Sequence, residues 1–143
     1  MTWILYASAA ALALGLADVL VKLAAGKIPD SLGMLLYGSV PFVTGLFWFA
    51  FDSRRAPLSE IRPIAYLYAI GVGVFFSLVT FGMYAAFRHG APVSLGSPLV
   101  RLGGLLVASA IGLLALKEPF SARYLLGFAL VCTGLFLMLT KQN

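Results

Sequence analysis

Long apolar runs broken by short polar stretches set the pattern of this chain. Crossing about 30 Å of hydrocarbon takes roughly 20 helical residues. Five runs meet that length and predict helices over about residues 3–25, 31–51, 63–87, 92–116 and 122–140. The first holds Asp18 and Lys22, the fourth is interrupted by Arg101, and the fifth carries Arg123 in its first turn, while the second and third carry no charge. The connections are short, at residues 26–30, 52–60, 88–91 and 117–121, so sequence neighbours are expected to pack as antiparallel neighbours. Ser121 stands where an N-cap would open the last helix. The pattern implies an all-α integral membrane protein of five transmembrane helices with short loops, a single domain over residues 1–143.

Composition agrees with the pattern. Of 143 residues, 62% are hydrophobic and 10% charged, and mean hydropathy is +1.01. Soluble domains carry about 25% charged residues, so the bilayer must serve as this chain's solvent and is its first expected partner. The Ala-rich residues 3–17 mimic the apolar core of a signal peptide. No basic segment precedes them, however, and the run continues to about Ala25, so it reads as a retained helix. The single cysteine, Cys132, excludes an internal disulfide and reads as a small packing residue.

The net charge of +5 is scattered over loops and forms no patch, which removes nucleic acid as an expected partner. The basic residues read better as topology signals. The loops on the N-terminal side carry Arg54, Arg55, Arg62, Lys117 and Arg123, and the opposite side carries Lys22, Lys27, Arg88 and Lys141. Five against four is too even to fix one orientation. Dual insertion, with copies paired antiparallel, is therefore the favoured reading over a single orientation set by Arg54 and Arg55. Small residues recur at four-residue spacing: Gly104, Ala108 and Gly112 on the fourth helix, Ala9, Ala13 and Ala17 on the first. Such faces let backbones approach in lipid. The first set is a candidate dimer seam, although ordinary packing within one bundle explains either stripe as well.

Asp18 and Arg101 are the exceptional residues, because a charge at membrane depth costs several kcal/mol unless it is paired or lines a wet cavity. Asp18 lies about four residues past the midpoint of the first helix and Arg101 two or three before that of the fourth. At about 1.5 Å per residue both fall at a similar depth, so an ion pair between them is geometrically allowed. Lys22, one turn beyond Asp18, is a second candidate partner. The pair has three readings: it fixes helix packing, Asp18 exchanges a proton for substrate, or Arg101 clamps an anionic group with its planar fork. Pro98 removes one helical hydrogen bond and, with Gly96 and Ser97 beside it, marks a place where the fourth helix can open next to Arg101. Pro41 reads as a packing kink. Ser97, Ser94, Tyr84 and Tyr6 are candidate substrate contacts, with Ser8 and Thr80 as further polar liners; Trp3, Trp48 and Tyr66 read as interfacial anchors.

Enzyme chemistry finds little support. One histidine (His89), one cysteine and five acids leave no metal cluster, and no serine has a histidine and an acid at a matching depth. Gly71-Val-Gly73 lies inside an apolar helix and is no phosphate loop. No metal and no cofactor are expected.

The order of these pieces resembles one repeat of the EamA-type drug/metabolite transporters. The likeness is carried by Phe81-Gly-Met-Tyr-Ala-Ala-Phe-Arg88, by Ala91-Pro-Val-Ser-Leu-Gly-Ser-Pro98, by Leu116-Lys-Glu-Pro-Phe-Ser121, by Leu125-Leu-Gly-Phe-Ala-Leu-Val-Cys-Thr-Gly134, and by Gly15 with Lys22 seven residues on. Family members commonly hold two such repeats in inverted orientation, so the resemblance implies a half-size member that obtains the inversion by inserting both ways. The related small multidrug resistance proteins have four helices and an intramembrane glutamate, whereas this chain has five and Asp18. Arg101 stands where the EamA pattern usually has a small or neutral residue.

The expectation is a secondary transporter in the cytoplasmic (inner) membrane, moving a small anionic or zwitterionic metabolite as an antiparallel homodimer with alternating access. Two alternatives stay open: a flippase for a lipid-linked anion or sugar, and a non-transporting subunit that assembles with another membrane protein.

Overall fold

The computed structural model describes residues 2–52, 61–119 and 121–140. They form α1 (Thr2–Ala24), α2 (Asp30–Asp52), α3 (Pro63–Arg88), α4 (Val93–Leu114) and α5 (Ala122–Thr140), and contain no strand. All five helices are long and apolar enough to cross a membrane. Most of their large side chains stand exposed, Trp3, Trp48 and Tyr66 among them. Water does not tolerate so continuous an apolar surface, whereas lipid does. Several hydroxyls on these helices are satisfied internally: Thr44, Ser77, Thr80 and Thr133 each donate to the carbonyl four residues back. Arg54, Arg55 and Lys141 lie outside the described residues.

Contacts divide the chain into two compact units, Val19–His89 and Met1–Asp18 with Gly90–Asn143. The first contains the end of α1 and the α2–α3 hairpin. Thr80, Met83, Tyr84 and Phe87 are buried on one face of α3 at i, i+3, i+4 and i+7. The face opposite on α2 contributes Asp30 and Gly33. The missing side chain of Gly33 lets the Tyr84 ring lie on the α2 backbone. The turn from α1 into α2 passes through Gly26 at φ +78, a conformation glycine adopts without the Cβ penalty.

The second unit holds the first part of α1 with the α4–α5 hairpin. Helix α4 begins after Pro92, whose carbonyl accepts from Leu95 and Gly96. The helix continues through Gly96 and Pro98, the place where the sequence allows it to open. Proline costs the one hydrogen bond it cannot donate, and the neighbouring turns hold the helix together. The apolar run suggests an end at Leu116, yet α4 stops at Leu114. Lys117 takes a left-handed φ of 54, and Glu118 N–H returns to the Gly112 carbonyl at 3.0 Å. Ser121 caps α5, its Oγ accepting from Tyr124 N–H at 3.2 Å. Tyr124 Oη also donates to Ser109 Oγ at 2.7 Å, tying the hairpin at that end.

A Cβ added at Gly33 would lie 2.6 Å from Cζ of Tyr84, whose ring is almost fully covered. Gly33→Ala is therefore expected to destabilise the α2–α3 hairpin by about 1–3 kcal/mol, the usual cost of overpacking. Thermal melting of the protein in detergent checks this, with the same substitution made in a Tyr84→Ala background. The loss should shrink once the ring is gone, and an equal loss in both backgrounds would show that the close approach is not its cause.

Candidate functional site

Seventeen residues into the chain's described part, α1 turns its one acid inward. Asp18 is 5% exposed, although α1 is otherwise lined with exposed alanines and leucines. Its partner is Arg101 from α4. Arg101 Nη2 donates to Asp18 Oδ1 at 2.5 Å, and Nε donates to Oδ2 at 3.3 Å. Both carboxylate oxygens are thereby used in a side-on fork, the strong form of an arginine–carboxylate contact. The two partners are unequally covered: the side chain of Asp18 is 7% exposed and that of Arg101 is 30% exposed.

The pair lies in a cleft of about 350 Å³. Ala11, Leu14 and Gly15 form the α1 wall, one to two turns before Asp18. Ser97 and Pro98 form the α4 wall, one turn before Arg101. Apart from the two charges and one hydroxyl, the lining is apolar. Ser97 Oγ is buried and has no hydrogen-bond partner among the described residues. This sets it apart from the hydroxyls that bond back along their own helices. The sequence singles out Asp18, Arg101, Ser97 and Pro98 and leaves Asp18 open to Arg101 or Lys22; the structure lines one cleft with all four and pairs Asp18 with Arg101.

The other candidates are placed differently. Ser94 is exposed on α4 and Tyr6 is 79% exposed on α1; neither lines the cleft. Tyr84 is buried against Gly33, and Thr80 is buried one turn before it on α3. Gly96 is buried within the first turn of α4. Along the stripe on α4, Gly104 and Ala108 are exposed, while Gly112 is covered by the Glu118 side chain, whose Oε2 would meet an added Cβ at 2.7 Å.

Lys22 belongs to the Val19–His89 unit. Its Nζ donates to the Phe87 carbonyl at 3.3 Å and lies 5.5 Å from the centre of the Phe87 ring. A cation at the last carbonyls of α3 complements the negative end of that helix. A second ion pair, which the sequence reading did not name, joins Arg88 Nη1 to Asp30 Oδ2 at 3.1 Å. Its signal was present: Asp30 opens α2 and Arg88 closes α3, and an antiparallel hairpin brings those two ends together. Arg88 is half exposed, so the pair is worth little to stability. Asp30 Oδ1 is buried without a partner among the described residues. No group of three or more His, Cys, Asp or Glu residues is close enough to hold a metal ion among the described residues.

Removing one partner of a buried pair leaves a bare charge, at a cost of about 3–5 kcal/mol. The half-open position of Arg101 places Asp18→Asn and Arg101→Gln at the lower end of that range. The double variant is expected to lose less than the two single losses combined, by about 1–3 kcal/mol. Stability in detergent measured across the cycle checks this, and strict additivity would show that the two charges do not stabilise one another. No family model, curated protein or solved structure matches the chain.

Proposed function

We propose that the chain is a secondary transporter that moves a small anionic or zwitterionic metabolite across the cytoplasmic membrane. The observation that carries this reading is the Asp18–Arg101 pair facing an apolar-walled cleft between helices long enough to span a bilayer. Ionisable groups at such depth are expensive and mark substrate or ion pathways. A pair that served packing alone would need no cleft beside it. The motif order that resembles one EamA-type repeat supports the same reading.

In this reading the working unit is an antiparallel homodimer. A single five-helix chain has its two ends on opposite sides, and near-even loop charges allow both insertions. Two inverted copies then supply the paired repeats between which alternating access operates. The exposed Gly104 and Ala108 provide a face on which a second copy can pack closely. Asp18 carries the coupling proton, and Arg101 holds the negative group of the substrate.

Two measurements test this. Reporters active only inside or only outside the cytoplasm, fused after Asn143, should both be active. Purified protein in liposomes should release its substrate down an imposed proton gradient, and Asp18→Asn should abolish the coupled flux while the protein still inserts. Activity of only one reporter, with no flux from the chain alone, would point instead to a subunit that assembles with another membrane protein. Unchanged proton-coupled flux in Asp18→Asn would remove Asp18 as the proton carrier.

A further inference from the structure

The unequal exposure of the two partners identifies which of them a substrate meets. Both oxygens of Asp18 are occupied by Arg101, and the acid is more than nine-tenths covered. A guanidinium has five N–H donors. Two of them serve Asp18, and no other group accepts from Arg101 among the described residues. The arginine therefore reaches the cleft with donors to spare, whereas the aspartate is almost fully covered and already engaged at both oxygens. A ligand drawn to this site is an acceptor, and the arrangement it must match is the one Asp18 already occupies, a planar carboxylate across Nε and Nη2.

Charge balance limits that ligand further. The empty cleft is neutral, with one positive and one negative group. A carboxylate that replaces Asp18 on Arg101 leaves Asp18 as an unpaired charge against apolar walls, which is costly. One proton taken from water by the Asp18 carboxylate restores the balance, since Arg101 then pairs with the ligand and Asp18 is neutral. A dianion would need a second cation, and Arg101 is the one cation lining the cleft among the described residues. The charged group facing Asp18 from α4 is Arg101; on α1 itself, Lys22 lies one turn further on and donates to the Phe87 carbonyl.

Ser97 adds a second point of recognition. It stands four residues before Arg101, on the same face of α4 and about 6 Å lower along the axis. Its buried Oγ has a lone donor and acceptor to satisfy. A ligand bearing a hydroxyl or oxo group near its carboxylate satisfies both residues at once. The cleft volume of about 350 Å³ sits at the small end of ligand sites, which span about 300–1,000 Å³, and suits a short acid.

We infer that the site binds a short monocarboxylate carrying a neighbouring hydroxyl or oxo group, which displaces Asp18 from Arg101 while Asp18 takes up one proton. This rests on the transport reading and adds that acid and proton cross together with no net charge moved. Arg101 is the substrate clamp, Ser97 sets specificity, and Asp18 acts as an internal competitor that leaves only when protonated.

Calorimetric titration of the purified protein tests this with four probes: lactate, its neutral amide, alanine and phosphate. Running each in two buffers of different ionisation enthalpy counts the protons exchanged. Lactate should bind about tenfold or more tighter than each other probe. Its binding should take up about one proton and strengthen as pH falls. Asp18→Asn should bind lactate more tightly and without proton uptake, because the competitor is gone, while Arg101→Gln should lose binding. Ser97→Ala leaves the ion pair intact, so it reports even where the charge variants fail to fold; it should weaken lactate more than propionate, which lacks the hydroxyl. Alanine binding as well as lactate with no proton uptake would overturn the inference in favour of a zwitterion, and so would equal binding of lactate and its amide. Preference for phosphate would overturn it in favour of a dianion. Binding as expected with no flux in liposomes would remove the transport reading and leave the ligand class standing.

Discussion

The contact between Asp18 and Arg101 is the one interaction that makes sense of both α1 and α4. Asp18 lies inside the apolar run of α1 and Arg101 inside that of α4, and at membrane depth either charge alone would be costly. Together they cancel through two hydrogen bonds, and the helices that bear them are held in one rotational setting. That setting in turn aims Ser97 and the Pro98 turn at the same cleft, since they share a face of α4 with Arg101. On the proposed function, a packing device and a recognition device are built from the same two side chains. Whatever replaces one of them must satisfy the other.

Elsewhere the described helices fit the rule that lipid would impose on polar atoms. Their backbone groups are paired, and Thr44, Ser77, Thr80 and Thr133 bond to carbonyls a turn away. Two further contacts of charged groups lie at helix ends, where Lys22 meets the Phe87 carbonyl of α3 and Arg88 meets Asp30. Against this economy the two orphaned groups stand out. Ser97 Oγ is unsatisfied beside the cleft, and Asp30 Oδ1 is unsatisfied at the mouth of the α2–α3 hairpin. The ligand proposed above would complete the first; any donor that reached that hairpin end would complete the second.

Much of this was readable before the structure, for a simple reason. Helices that must cross hydrocarbon are written as apolar runs of set length, so all five were found to within two residues of their ends. The shared depth of Asp18 and Arg101 followed from counting residues along two antiparallel helices. What could not be read depends on turns and rotamers. Nothing in the apolar run to Leu116 announces that Lys117 turns left-handed and ends α4 early. Nothing in the spacing of Gly104, Ala108 and Gly112 shows that Glu118 folds back over the last of them. That Ser97 lacks a partner while Thr44 and Ser77 have theirs is a matter of side-chain direction, which periodicity does not encode.

The distance in sequence between the paired charges has a consequence for how the protein is made. Asp18 and Arg101 are 83 residues apart. At about 5–20 residues per second, about 4–17 s of synthesis separate them. Throughout that interval α1 carries an acid whose partner does not yet exist. In a bilayer that acid would cost α1 up to about 2.5–3.5 kcal/mol until its counter-charge is made. On the proposed function, α4 is the helix that relieves α1 of this cost.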